Sequence, residues 1–388
     1  MHKHDRELLA RIARVHRSTG EITLELLKLI ADDAAYAAGL RQIADAFKQL
    51  SADLLTRADE LDPSGSAPGL IERASAHPEP LAWTTPPDRS LMTTTSFTSD
   101  RAHGVLTAAC ESAGLDADDA VLLRFGENAI YRLPGCSAVG RVGRSVSAAR
   151  KEVNVARWLA GHGYPAGRVL PDIEQPVIIE DTPVTFWEYI EDNGEAVSSA
   201  EFGKILHDLH ALPHPSDFTL PDFAPMPKVE KRLEELSGQL PDADLQFLRH
   251  RYEKVSADFE EIEFVLPPGP IHGDAHPGNI MRPTGGPLTL IDFEDFAFGP
   301  REWDAAVLSV RHQAFGWASD AEYRAYTDAY GFDPIDWSGF PVLRAARELN
   351  MTTWLAQSVG ESLEIETEVR RRIADLRDDQ APRHWRVF

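Results

Sequence analysis

The stretch Ile271-His272-Gly273-Asp274-Ala275-His276-Pro277-Gly278-Asn279-Ile280-Met281 decides how the rest of the chain is read. Asn279 stands five residues after Asp274, and Asp292 follows within Leu290-Ile291-Asp292-Phe293-Glu294-Asp295. Strand fragments are expected on either side, at Pro270-Ile271 and over 288–291. A carboxylate, an amide oxygen a short loop later and a second carboxylate beyond a strand make up the donor set that phosphoryl transfer from a nucleotide requires. One carboxylate accepts the proton of the attacking hydroxyl, while the amide oxygen and the other carboxylate hold magnesium on the phosphates.

On this reading Asp274 is the catalytic base, and it orients a substrate hydroxyl by hydrogen bonding. Alone, such an Asp would as readily serve an Asx turn ahead of Pro277-Gly278. Its spacing to Asn279 and Asp292, the expected Mg2+ ligands, favours chemistry. His272 joins the catalytic loop in an architectural role, its ring bonding the backbone. His276 either faces substrate or caps the loop. Glu294 and Asp295 are open between a second metal, the substrate and simple solvation after a strand.

The run from His272 to Asn279 resembles the aminoglycoside phosphotransferase (APH) family of small-molecule kinases, as does Gly299-Pro300-Arg301-Glu302-Trp303-Asp304. The resemblance extends from about Arg101 to the C-terminus and is densest over 271–304. It implies an α+β, bilobal protein-kinase-like fold with a small β-rich N-lobe and a helical C-lobe. ATP or GTP would be the co-substrate. The acceptor would be a small hydroxylated molecule, either an aminoglycoside-like antibiotic or a metabolite. The resemblance also implies nucleotide contacts. Arg141, on the third strand and held by Glu152 from the next helix, would steady the phosphates. The family commonly has Lys there, so Arg141 is a departure, and Arg144 is the runner-up. The bland alternative for Arg141 and Glu152 is a surface ion pair worth under about 1 kcal/mol. Gly126 and Asn128 lie in the turn that would approach the phosphates, although a plain hairpin would explain them as well. Backbone groups of Glu188 and Ile190 would meet the adenine edge. Asp304 would support the catalytic loop from a helix start.

Four segments follow from composition and periodicity. Residues 1–62 carry an apolar seam (Leu8, Ile12, Val15, Ile22, Leu26, Leu29, then Leu40, Ile43, Phe47, Leu50, Leu54) and read first as a helical hairpin and second as one long helix that dimerises. They are the expected site of a homodimer contact or a protein partner. Residues 63–100 are a proline-, serine- and threonine-rich connection. Residues 101–190 form the nucleotide-binding N-lobe: a helix over 101–113, strands over 120–125, 129–133 and 137–142, a helix over 145–161 capped by Ser145, and strands over 169–179 and 184–190. Residues 191–388 form the catalytic and substrate-binding C-lobe, with helices expected over 199–212, 227–236, 242–262, 302–317, 320–330, 340–358 and 363–377.

The net charge of −23 argues against nucleic acid as a partner and is compatible with steering a cationic substrate. No apolar run approaches the ~18 residues of a membrane span, so no membrane partner is expected. Cys110 and Cys136 cannot build a disulfide framework, and a reducing cytoplasm is expected. Two other function classes compete. One is a metal-dependent hydrolase built on His272, Asp274, His276 and Asp292. The other is a non-catalytic binding protein with a kinase fold, acting through the N-terminal helices.

Overall fold

Thr98 opens the described chain's first helix. Its hydroxyl accepts from the Arg101 N–H (3.3 Å), so α1 runs Ser99–Ala113 and starts inside the stretch expected to be a connection. The computed structural model describes residues 97–388 apart from 379 and 380; the expected hairpin at 1–62 and most of the connection lie outside the described residues.

After α1 come β1 (Val121–Phe125), β2 (Ala129–Leu133) and β3 (Ala138–Val142), then α2 (Val146–Gly161), β4 (Val177–Ile179) and β5 (Thr182–Glu188). The five strands form one antiparallel sheet in the order β1-β2-β3-β5-β4. Alternation sets its inner face: Ala129, Tyr131 and Leu133 of β2 are buried, and they pack with Leu106 of α1 and Phe186 of β5. Ser145 caps α2 as the sequence suggests, accepting from the Ala148 N–H (3.3 Å).

One expected strand is mostly absent. Of residues 169–179 only Val177–Ile179 pairs with β5, apart from a single bridge from Val169 to Trp187. Pro171 and Pro176 have no N–H to give a ladder. The buried Gln175 amide replaces the missing strand partner: its Oε1 accepts from the Phe186 N–H (2.6 Å), and its Nε2 donates to Leu170 O (3.0 Å) and Phe186 O (3.2 Å).

The chain is then mainly helical, with α3 (Ser199–His210), α4 (Val229–Glu235) and α5 (Asp242–Glu260). Two short strand pairs follow: β6 (Gly269–Ile271) with β9 (Ala297–Gly299), and β7 (Ile280–Met281) with β8 (Thr289–Leu290). Last come α6 (Glu302–Gln313), α7 (Asp320–Tyr330), α8 (Phe340–Ala356) and α9 (Leu363–Leu376). Ser198 with Glu201, and Ser319 with Glu322, close reciprocal capping boxes at α3 and α7. Helix α6 stops short of the expected Trp317, whose N–H turns back to Arg311 O (2.8 Å) beside Gly316 at φ 65°.

Two cores matter for function. Val153, Ala156 and Leu159 of α2 pack with Phe202 and Leu206 of α3 and with Leu290, Phe293 and Phe296. This apolar joint seats the sheet-side helix directly on the loop that carries Asp292. A second core joins Trp303, Leu343 and Ile373, and the end of the chain folds into it: Arg383 is 2 % exposed and Trp385 3 %. Arg383 lies 3.3 Å from Glu348, and Trp385 donates to Asp375 (2.9 Å) beneath the Arg372 guanidinium.

Candidate active site

The loop after β6 is built around a tight backbone approach. Gly273 sits at φ 84°, and a Cβ there would lie 2.1 Å from Asp295 O, so no side chain fits. The same backbone is strapped from α6. Buried Asp304 accepts from the N–H groups of His272 (2.6 Å) and Gly273 (3.1 Å), and the Trp303 indole donates to Gly273 O (2.6 Å). Behind Asp304, His210 of α3 spans 3.2 Å to its carboxylate and 2.7 Å to the Tyr330 hydroxyl. Asp304 thus supports the loop as expected. His210 was not foreseen, because nothing local to His210 points to a partner 94 residues away.

His272 is fully buried, and its Nε2 meets Ile291 O at 2.9 Å. That geometry ties the loop after β6 to the segment before Asp292, an architectural arrangement. Asp274 projects outward, its side chain 57 % exposed, with His276 Nε2 3.6 Å away. Packing around Asp274 disfavours its charged form, but His276, together with the charges of His272 and Arg347, outweighs this and lowers its pKa to about 2. Such a group orients a hydroxyl as an anion and is a weak base in isolation.

Asn279 is held by its own Nδ2, which donates to Asp274 O (2.9 Å) and leaves the amide oxygen available. The Ile280–Leu290 pairing, together with the Ile291 N–H to Asn279 O bond (2.9 Å), sets Asn279 one residue from Asp292. Asp292 adopts φ 65°, a left-handed conformation uncommon for a residue with a side chain. Its Oδ1 is buried without a hydrogen-bond donor. Backbone strain and a buried carboxylate oxygen with no hydrogen bond, facing the Arg141 guanidinium at 3.6 Å, together fit a hard cation. Among the described residues no three His, Cys, Asp or Glu side chains converge as a metal cluster, so a cation here needs the Asn279 amide and ligand oxygens as well.

Arg141 links this loop to the sheet. Its Nη1 lies 2.5 Å from Glu152 and 3.6 Å from Asp292, and its Nη2 lies 3.0 Å from Glu294. The expected Arg141–Glu152 pair therefore forms, in a site where Arg141 is only 14 % exposed. Burial raises the pKa of Glu152, against the pull of Arg141, to about 7. Glu294 is the hub: it also accepts from Asn128 (3.2 Å) and Lys228 (3.1 Å). Lys151, beside Glu152 on α2, donates to the carbonyls of Glu294 and Phe296. Arg144 lines the same cleft as Arg141. Its guanidinium braces the turn, donating to Glu127 O (2.8 Å) and Gly126 O (2.9 Å), and stacks over Phe97.

This cleft of about 640 Å³ is lined by Gly126, Asn128, Arg141, Glu152, Lys228 and Glu294 among others, while Asp274, Asn279 and Asp292 are not among its lining residues. Glu188 and Ile190 line a second cavity of about 330 Å³ along the strand exit, with Ala166 and Thr289. Glu188 donates its N–H to Arg168 O (2.8 Å), so its carbonyl is the backbone group it can offer a base edge.

The sequence profile of the phosphotransferase enzyme family APH matches residues 128–349. The chain belongs to that family. No curated protein matches its sequence. Among solved structures it is similar to amicoumacin kinase hAmiN in complex with AMP-PNP, Ca2+ and Ami, at 16 % identity and a TM-score of 0.57, over 74 % of this chain and 97 % of that one. It is also similar to a microcompartment-associated aminopropanol kinase (19 % identity, TM-score 0.54, 69 % and 93 % covered). Spectinomycin phosphotransferase APH(9)-Ia with ADP and spectinomycin is a third (14 %, 0.53, 72 % and 94 %). At these identities the likeness establishes a shared kinase-like α+β fold for this APH member.

Proposed function

We propose that the protein transfers the terminal phosphoryl group of a nucleoside triphosphate to a hydroxyl of a small molecule. The carrying observation is the Arg141 fork, which pairs with Glu152 and Glu294 in the cleft lining and lies 3.6 Å from Asp292 behind it in the loop. The acceptor oxygen, hydrogen-bonded to Asp274, forms a bond to the terminal phosphorus as the bond to the nucleoside diphosphate breaks. The hydroxyl proton passes to Asp274. Arg141 and the backbone of the Gly126–Asn128 turn steady the phosphates, and Glu152 fixes Arg141. Bound magnesium, held by Asn279 and Asp292, would neutralise phosphate charge. Two of the similar structures carry AMP-PNP or ADP, so ATP is the donor to test first, with GTP alongside.

The hydrolase alternative is less well supported: among the described residues no three His, Cys, Asp or Glu side chains converge on one metal position. Among the described residues no helix is long and apolar enough to cross a membrane.

A thermal-shift titration with ATP and GTP, with and without magnesium, tests the reading. Ligand that binds only the folded state raises its stability. The expected result is a magnesium-dependent shift in the wild type that shrinks in Asp292→Ala. No shift at millimolar nucleotide would overturn the proposal.

A further inference from the structure

Two cations of the cleft are accounted for by neither the loop motifs nor the Arg141 pair: Lys231, which pairs along its own helix with Glu235 (3.5 Å), and Lys228. Lys228 sits just ahead of α4, a short helix fixed by the buried residues Met226, Val229 and Leu233 and by Arg232, which donates to Asn350 (2.7 Å). Its ammonium therefore projects from an anchored base. It reaches across the mouth of the cleft, 2.9 Å from Glu127 in the strand turn and 3.1 Å from Glu294.

Two features make this more than a clamp between the lobes. The first is position. Glu294 also bonds Arg141 (3.0 Å) and lies two residues after Asp292, so Lys228 is at the metal-loop end of the cleft, where the last phosphate of a bound nucleotide belongs. The second is the quality of its partners. Arg141 is shared among three carboxylates in a nearly closed site, and Arg144 is committed to two carbonyls. Lys228 is 37 % exposed and has two carboxylate partners, Glu294 at 29 % exposure and the far more open Glu127 at 64 %. The pair with Glu127, so open to water, contributes little, and its carboxylate can be exchanged for a better anion.

We propose that Lys228 binds the terminal phosphate of the nucleotide, releasing Glu127 to solvent, and so is a second phosphate-contacting residue supplied from the helical lobe. This rests on the phosphotransferase reading and narrows it: the cleft should tell a triphosphate from a diphosphate through a residue outside the family motif.

Calorimetric titration of AMP-PNP, ADP and AMP, each with magnesium, into wild type, Lys228→Met, Lys228→Arg and Glu127→Gln would test it. Loss of one charge-assisted contact predicts that Lys228→Met weakens AMP-PNP by about tenfold or more while leaving ADP and AMP within about twofold. Lys228→Arg should restore most of the loss, and Glu127→Gln should bind AMP-PNP at least as tightly as wild type. Equal weakening of all three nucleotides, as a structural clamp would give, overturns the assignment, as does unchanged AMP-PNP binding. Wild type that binds none of the three would instead overturn the phosphotransferase reading, and this assignment with it. Apo melting temperatures of the variants, expected to match wild type, separate lost contacts from lost folding.

Discussion

Asp304 accepts the backbone N–H of His272 at 2.6 Å from a position with no solvent exposure. Burial raises its pKa, yet the His210 hydrogen bond and charge, with the His272 N–H, bring it below the ordinary carboxylate range. A carboxyl whose pKa is depressed by folding stabilises fully above its unfolded value, near pH 4, and loses that contribution as pH falls through the folded value. Wild type should therefore melt at progressively lower temperature below about pH 4. Asp304→Asn should lose part of that acid sensitivity and cost on the order of 3 kcal/mol at pH 7, since it breaks a buried charged network. Urea unfolding of both proteins at pH 3 and pH 7 would decide; parallel pH profiles would remove Asp304 from the acid response.

Gly273→Ala asks more of the fold than its size suggests. The methyl group would meet Asp295 O at 2.1 Å while the backbone stays at φ 84°. Left-handed strain and overlap together should cost at least about 2 kcal/mol, or displace the loop and abolish turnover. A variant with wild-type stability and activity would show that this approach is dispensable.

Arg141→Lys keeps the charge and loses the fork that reaches Glu152, Asp292 and Glu294 together. Nucleotide KM should rise about tenfold, with a smaller change once Glu294→Gln is also present, because the two residues share one contact. Additive losses in a double-mutant cycle would contradict a working Arg141–Glu294 pair.

Asp274→Asn should leave magnesium-dependent nucleotide binding intact and lower kcat by about 10²–10⁴-fold. Its low pKa also predicts that kcat holds flat down to mildly acidic pH as far as Asp274 is concerned. Full activity in the variant would exclude Asp274 from the transfer step.

Much of this architecture was legible wherever the information is local. Ser145, at the start of α2, and the alternation of Ala129–Leu133 carry their own instructions, and both elements form where the pattern places them. The spacing of Asp274, Asn279 and Asp292 is likewise a property of one short segment. What escaped is set by contacts distant in sequence. Lys228 meets Glu294 across 66 residues and Lys151 meets the same residue's carbonyl across 143, so neither cation announces its partner. The stretch 169–179 misled for a different reason: apolar residues there suggested a strand, but two prolines break the ladder and a Gln175 side chain substitutes for it.

The inward-folded end of the chain has a practical consequence. Trp385 and Arg383 are interior residues, although they lie within six positions of Phe388. Removing residues 383–386 would not trim a loose end. It would take an indole from under Arg372, a guanidinium from beside Glu348 and the Arg386 backbone N–H from the Glu368 carboxylate. A chain cut ahead of Arg383 should therefore be judged as a core mutant.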